Sequence, residues 1–218
     1  MKNNRIVILD YNLGNLFSVK HACLKVGLNP LITSNKNDLL DANAIILPGV
    51  GAFGDAMKNL DKLDLISPIK DIVQKGIPLI GVCLGLHLLF EESEENGNNK
   101  GLGLIKGVIK RFPKNIENRN IKVPNIGWNT IFSNNDNKWN NSLLNNLEQN
   151  SFMYFVHSYY ALPEETNDIL TLTNYDGFEY CSSIQNENIS AFQFHPEKSG
   201  PQGLEIYNQI KNKYYDTK

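Results

Sequence analysis

Ile77-Pro78-Leu79-Ile80-Gly81-Val82-Cys83-Leu84-Gly85 is an apolar run that delivers a cysteine between two glycines. Unbroken apolar character is the mark of a strand buried on both faces, and the spacing that follows predicts a helix over 84–94. A strand that turns sharply into a helix presents its thiol at the turn. Gly81 and Gly85 permit the tight backbone geometry that such a nucleophile elbow requires. A thiol at a helix N-terminus feels the positive end of the macrodipole, which favours thiolate. The N–H of Leu84 is then aimed at any oxyanion formed on a carbonyl substrate. Taken alone, the segment also fits a buried cysteine between two packing glycines.

The surrounding chain alternates in type. Apolar runs predict strands over 6–9 and 44–47. Helical spacing of Leu16, Val19, Cys23 and Val26 predicts a helix over 15–26, stopped by Gly27. Ser67 reads as an N-cap with Pro68 at the first helical position, opening a helix to Val73 that Gly76 ends. A strand over 77–82 then feeds the elbow. Alternating β and α units with continuously apolar strands imply a parallel sheet covered on both faces.

The second half has a different rhythm, with strands expected over 107–111, 129–132, 152–156, 169–173, 178–184 and 189–194 and a closing helix over 203–211. The Asn- and Glu-rich stretches 94–100 and 134–141 are expected as exposed, mobile loops. Together these elements predict a single α/β domain over 1–218, with a central mostly parallel sheet flanked by helices and additional antiparallel strands in the second half.

The chain has 218 residues and a formal net charge of −2 with no basic cluster, which gives no sign of a nucleic-acid surface. Its apolar runs are too short to span a membrane. Met1 to Arg5 lead into only four apolar residues before Asp10, too few for a signal-peptide core, so a cytoplasmic location is expected. Cys23, Cys83 and Cys181 are an odd number without paired spacing, indicating neither a disulfide framework nor a zinc site. Cys23 and Cys181 read as plain packing residues.

The run over 189–194 ends in His195-Pro196-Glu197. In an extended segment, residues two apart point to the same side, so Glu197 is placed to orient His195. With Cys83 this supplies a nucleophile, a base and an orienting group, the logic of a Cys-His-Glu triad. Pro48-Gly49-Val50-Gly51 follows the strand over 44–47 and lacks the Gly-Lys-Ser/Thr ending of a phosphate-binding loop. It reads as a source of a second oxyanion donor, with a simple turn as the plainer alternative. His87, four residues after Cys83, is the rival base, though no acidic residue stands at an obvious spacing to orient it. His157 either lines the site or is a satisfied structural histidine, and His21 reads as solvated surface.

These segments resemble the class I (triad-type) glutamine amidotransferases, and within them the glutaminase subunits of imidazole glycerol phosphate synthases. The resemblance runs from Asp10-Tyr11-Asn12-Leu13-Gly14-Asn15 and Leu47-Pro48-Gly49-Val50-Gly51, with Phe53 and Met57, through the elbow to Phe90. It continues in Pro124-Asn125-Ile126-Gly127-Trp128-Asn129, Phe155-Val156-His157-Ser158-Tyr159 and Gln193-Phe194-His195-Pro196-Glu197-Lys198-Ser199. It implies a flavodoxin-like α/β fold and a glutaminase in which Cys83 attacks the side-chain amide of glutamine. His195, held by Glu197, would protonate the departing ammonia, and water would release glutamate from a thioester.

By the same resemblance, Val50 and Leu84 supply the oxyanion donors, Gly49 and Gly51 shape that loop, and His157, Ser158 and Tyr159 help hold the glutamine. No metal or cofactor is implied. The implied partner is a (β/α)8-barrel cyclase subunit of a heterodimer in histidine biosynthesis, docked on the Asp10 to Asn15 loop (Asn12, Asn15), Trp128, Tyr154 and Lys198. His87 departs from the family, which usually has Gln in contact with the substrate there. A paralogous glutaminase that supplies ammonia for amidating a nucleotide-linked sugar in surface-polysaccharide synthesis is the alternative.

Overall fold

A computed structural model describes residues 5–116, 119–135 and 138–216. In chain order the first half runs β1 (Ile6–Leu9), α1 (Leu16–Lys25), β2 (Leu31–Thr33), α2 (Lys36–Leu40), β3 (Ala44–Gly49), α3 (Phe53–Lys62), α4 (Ile66–Gln74), β4 (Leu79–Cys83) and α5 (Leu84–Leu88). There follow β5 (Phe90–Ser93), β6 (Asn99–Lys100), β7 (Ile105–Arg111), β8 (Asn115–Ile116), β9 (Arg119–Asn120), β10 (Asn125–Ile131), β11 (Ser151–His157) and β12 (Tyr159–Pro163). The chain closes with β13 (Ile169–Tyr175), β14 (Phe178–Asn186), β15 (Ile189–Phe192) and α6 (Gly200–Tyr214).

Among the described residues, eleven strands form one sheet in the order β2-β1-β3-β4-β15-β14-β12-β7-β5-β6, with β13 on β14. From β2 to β15 every pairing is parallel, and antiparallel strands extend the sheet beyond β15. The expected α/β architecture is therefore present. Alternation along the inner strands feeds two cores. Val7, Leu9, Ile45 and Leu47 pack into one layer, while Ile6, Ile8, Ala44 and Ile46 face the other, which is why these runs are apolar throughout.

Parallel strands share a direction, so the chain leaves β1, β3, β4 and β15 at one edge of the sheet. Ligands bind at the carboxyl ends of such strands. The Asp10 to Asn15 loop, Gly49 to Gly51, Cys83 and His195 all emerge there. A depression of about 580 Å³ at the opposite edge is lined by Arg5, Asp41, Asn43, Ile77 and Pro78 among others, with neither a cysteine nor a histidine in its lining.

Several elements differ from expectation. The helix over 84–94 stops at Leu88. The carbonyl of Leu89 accepts from Leu104 and Ile105 N–H, and Phe90–Ser93 becomes a strand parallel to β7, so sheet pairing overrides helical spacing. The helix expected from Ser67 begins at Ile66, after Leu65. Pro68 still lies in the first turn, where its missing N–H costs nothing. β2, α2, α3 and β12 were not among the expected elements, although Phe53, Ala56, Met57 and Leu60 in α3 do stand at helical spacing. Trp139, in the stretch expected as an exposed loop over 134–141, is buried, its indole N–H donating to the Leu170 carbonyl. Residues 136 and 137 of that stretch, and residues 1–4 at the N-terminus, lie outside the described residues. The 94–100 stretch is largely exposed but carries β6, paired to β5. No helix among the described residues is long and apolar enough to cross a membrane.

Candidate active site

Cys83 closes β4 with φ 55° and ψ −108°, in the left-handed half of backbone space that a side chain rarely adopts. Such strain persists only where surrounding structure over-determines it. The flanking glycines work by close approach rather than by unusual φ. A Cβ at Gly85 would overlap the Leu47 carbonyl, and one at Gly81 would fall 3.0 Å from Ala191 Cβ and from the Gly85 carbonyl. The elbow is thus wedged between β3 and β15. Gly49 is required likewise, since a Cβ there would collide with the Tyr11 hydroxyl and come 2.8 Å from Leu84 Cβ.

His195 and Glu197 do not lie in an extended strand. β15 ends at Phe192, and Pro196–Lys198 form a 3-10 turn. The turn brings the pair together more directly than an extended segment would: His195 Nδ1 donates to Glu197 Oε1 at 2.7 Å, with side chains 2% and 0% exposed. It is pinned to β11, because His195 N–H donates to the Tyr154 carbonyl (2.9 Å) and Tyr154 N–H donates to Ser199 Oγ (3.0 Å). The Ser199 hydroxyl in turn donates to the His195 carbonyl at 2.7 Å.

With Nδ1 engaged, His195 Nε2 is buried without a hydrogen-bond partner among the described residues. Burial opposes the imidazolium, but attraction to a Cys83 thiolate and to Glu197 outweighs it, pushing the His195 pKa up to about 10. The arrangement favours a protonated His195 facing Cys83. Burial raises the Cys23 and Cys181 thiols to about 12, which keeps them protonated, as expected of packing residues.

Cys83 and His195 open onto a cleft of about 410 Å³, within the range of small-molecule sites (about 300–1,000 Å³). Val50, Gly51, Leu84, His87, His157, Ser158 and Tyr159 also line it. Gly49 stands behind the wall, and Glu197 lines a groove on the other side, beside α1 and α6. Leu84 is the first residue of α5, where a backbone N–H has no intrahelical partner. Gly51 adopts φ +104°, and the Pro48 carbonyl before the loop accepts from Tyr11 Oη at 2.8 Å.

His87 does not act on Cys83. Its Nε2 donates to Gln193 Oε1 at 2.7 Å, and burial lowers its pKa to about 4. His157 is held as a neutral imidazole, its pKa lowered by burial to about 3. Its Nδ1 donates to the Tyr159 carbonyl at 2.8 Å, and the Tyr180 hydroxyl, 3.1 Å away, donates to Nε2. Asn125 donates to that hydroxyl (3.2 Å), and Asn129 donates to Asn125 (3.0 Å). His157 is therefore both satisfied and part of the cleft wall.

Glu95 also lines the cleft and had no sequence signal, since it ends the acidic run Glu91-Glu92-Ser93-Glu94-Glu95, which reads as solvated. Its Oε2 accepts from Phe53 N–H at 2.7 Å, capping α3 from the turn between β5 and β6. Tyr11 and Gln193 were likewise seen only as parts of longer motifs.

Outside the cleft, Trp128 is 53% exposed and packs edge-on against Tyr154, with ring centroids 5.9 Å apart. Lys198 Nζ stands 6.0 Å from the Tyr154 ring centroid. Trp128 and Tyr154 are paired across β10 and β11, as are Ile126 with Val156 and Thr130 with Phe152, and Ile126 and Phe152 are exposed too. The outer face of this ribbon is an apolar surface beside the His195 turn. Asn12 is exposed on the neighbouring loop with φ 67°. Asn15 points inward, its amide donating to Glu197 Oε1 at 3.2 Å.

The family described as "Glutamine amidotransferase class-I" matches residues 7–212. The chain is 45% identical to "Imidazole glycerol phosphate synthase subunit HisH" of Aquifex aeolicus (strain VF5), over 96% of this chain and 97% of the relative. It is 44% identical to the subunit of the same name in Bacillus subtilis (strain 168), over 94% of each. The fold matches PurLQS from Thermotoga maritima with TM-score 0.72 at 18% identity, covering 95% of this chain and 97% of that one. It also matches the glutaminase domain of Trypanosoma brucei CTPS, solved with bound acivicin, with TM-score 0.62 at 16% identity, covering 97% and 95%.

Proposed function

We propose that this chain, which belongs to the class-I glutamine amidotransferases, is the glutaminase subunit of an imidazole glycerol phosphate synthase in histidine biosynthesis. It hydrolyses glutamine and passes the ammonia to a synthase partner that makes imidazole glycerol phosphate and AICAR. The observation that carries this reading is 45% identity to a subunit of that synthase over nearly the whole of both chains. The relatives named above are both subunits of the imidazole glycerol phosphate synthase, which favours this reading over the sugar-amidating alternative.

In this reading the Cys83 thiolate attacks the side-chain amide carbon of glutamine, and the carbonyl electrons move onto oxygen. The N–H groups of Val50 and Leu84 receive that oxyanion. His195, charged and held by Glu197, gives its Nε2 proton to the leaving nitrogen, so ammonia departs and a thioester remains. Neutral His195 then takes a proton from water, the resulting hydroxide attacks the thioester, and glutamate leaves with the thiolate restored. Glu95, a carboxylate on the cleft wall, receives the α-ammonium of the substrate. Ser158 and Tyr159 line its other side, with His87 where the family usually has Gln. Neither a metal nor an organic cofactor takes part.

The partner is a (β/α)8-barrel cyclase docked over Asn12, Trp128, Tyr154 and Lys198 to form a heterodimer in the cytoplasm, and the chain acts as one domain over 1–218. Direct delivery keeps ammonia from protonation and dilution. The test is glutamate release by the chain alone, then with the histidine-pathway cyclase and its phosphoribosyl acceptor, then with a sugar-modifying synthase. Stimulation by the cyclase alone is expected, whereas stimulation only by the sugar-modifying partner would move the protein to polysaccharide synthesis.

A further inference from the structure

Asn15 stands where a helix-capping residue belongs, immediately before α1, yet its side chain makes no bond to that helix. Asparagine at an N-cap ordinarily turns its oxygen back onto an N–H of the first turn. Here the amide nitrogen reaches Glu197 Oε1 at 3.2 Å. The same oxygen accepts from His195 Nδ1 at 2.7 Å, while Glu197 Oε2 is buried with no partner among the described residues. Both donors therefore meet on one oxygen. A carboxylate with a single donor can swing its other oxygen toward the imidazole, and a second donor at a fixed angle removes that freedom.

We propose that Asn15 is a positioning residue of the triad: its amide locks the Glu197 carboxylate and so the orientation of His195, tying the loop before α1 to the reacting groups. That loop is braced at several points. Asp10 Oδ1 accepts from Asn12 N–H at 2.9 Å, Asn59 Nδ2 donates to the Tyr11 carbonyl at 3.1 Å, and the Tyr11 hydroxyl holds the Pro48 carbonyl. One segment thus touches both the Gly49 to Gly51 loop and the carboxylate behind His195. Movement of the loop by a docked partner would reach both.

The kinetic readout of this inference rests on the glutaminase reading, and its spectroscopic readout does not. Asn15→Asp keeps the shape and an equally good N-cap, but a carboxylate only accepts hydrogen bonds and would face Glu197 as a like charge. If Asn15 merely caps α1, Asn15→Asp matches the parent and Asn15→Ala is the worse variant. Positioning reverses that order. With the synthase present, Asn15→Ala lowers kcat roughly tenfold with KM for glutamine within about twofold, as expected for misorientation of a reacting group, and Asn15→Asp lowers kcat further. In the chain alone, the His195 Nδ1 proton resonance shifts in both variants, and more in Asn15→Asp. Parent-like kcat and an unshifted resonance in Asn15→Asp overturn the inference; should that variant not fold, an unshifted Asn15→Ala resonance does so. If the parent releases no glutamate with any synthase, the glutaminase reading fails, and the resonance still decides the role of Asn15.

Discussion

Glu197 Oε1 accepts the Nδ1 proton of His195 at 2.7 Å across a single turn of 3-10 helix, with both side chains closed off from solvent. The imidazole is thereby fixed as the tautomer that leaves Nε2 toward the cleft, and its charged form is stabilised beside Cys83.

Glu197→Gln removes that charge and lets an amide N–H face Nδ1, favouring the wrong tautomer. Partner-stimulated kcat is expected to fall by about 10²–10⁴-fold, by analogy with amide replacement of the acid in a Ser-His-Asp triad. Glutamine KM should change little. A variant retaining a third of parental kcat would show that Glu197 does not orient His195.

Three histidines give stability a defined pH dependence. His87 and His157 have folded pKa values of about 4 and about 3, below the ordinary 6.5. The unfolded chain therefore binds more protons below 6.5, and stability is lost as pH falls from 6.5 toward 4 and then 3. His195, raised to about 10, contributes stability that is complete below 6.5 and gone once pH has risen through about 10. Urea midpoints against pH should peak near neutrality. Cys83→Ala should flatten the alkaline limb, and an unchanged limb would refute the coupling of His195 to Cys83.

Replacing His87 by Gln restores the usual family residue, with a side chain able to bond Gln193. It should preserve or lower the apparent KM for glutamine, and it should remove one of the two acid-side titrations from the stability profile. A large loss of kcat would mean that His87 has acquired its own part in the reaction.

Glu95→Gln keeps an acceptor for the Phe53 N–H but removes the charge from the cleft. Loss of a charge-assisted bond worth about 1.5–3 kcal/mol predicts a roughly 10–100-fold rise in KM, with kcat within about twofold. Steady-state kinetics with the partner at saturation separates the two. A normal KM would place the substrate ammonium elsewhere.

Lys198→Ala leaves the cleft intact and removes a cation beside Tyr154 on the proposed docking face. Stimulation by the synthase, or affinity for it, should fall by roughly tenfold, while thermal stability of the chain alone stays the same. Equal stimulation of the variant and the parent would remove Lys198 from the interface.

The inner strands were legible because a strand buried on both faces must be apolar throughout, and β1, β3 and β15 fall where the runs at Ile6, Ala44 and Ile189 predicted. The elbow was legible for a related reason, since a side chain at Gly85 would overlap the Leu47 carbonyl and one at Gly81 would crowd Ala191 once β3 and β15 close on them. Phe90 to Glu94 misled because they continue the run from Leu84 with no Gly or Pro stop after Gly85, but the backbone groups of Leu88, Leu89 and Phe90 find partners in residues 102–105. A hydrogen bond to a distant segment leaves no mark on local periodicity.

The sequence by itself determined the alternating α/β framework, the elbow that carries Cys83 and the His195–Glu197 pair. Burial and reactive chemistry select residue types at each position, and those choices are local. The tertiary structure alone decided which carboxylate of the 91–95 run turns into the cleft, how a 3-10 turn rather than a strand joins His195 to Glu197, and that Asn15 bonds a carboxylate 182 residues away. Those relationships depend on which strand ends the parallel sheet gathers at one edge, and that exists only once the strands have paired.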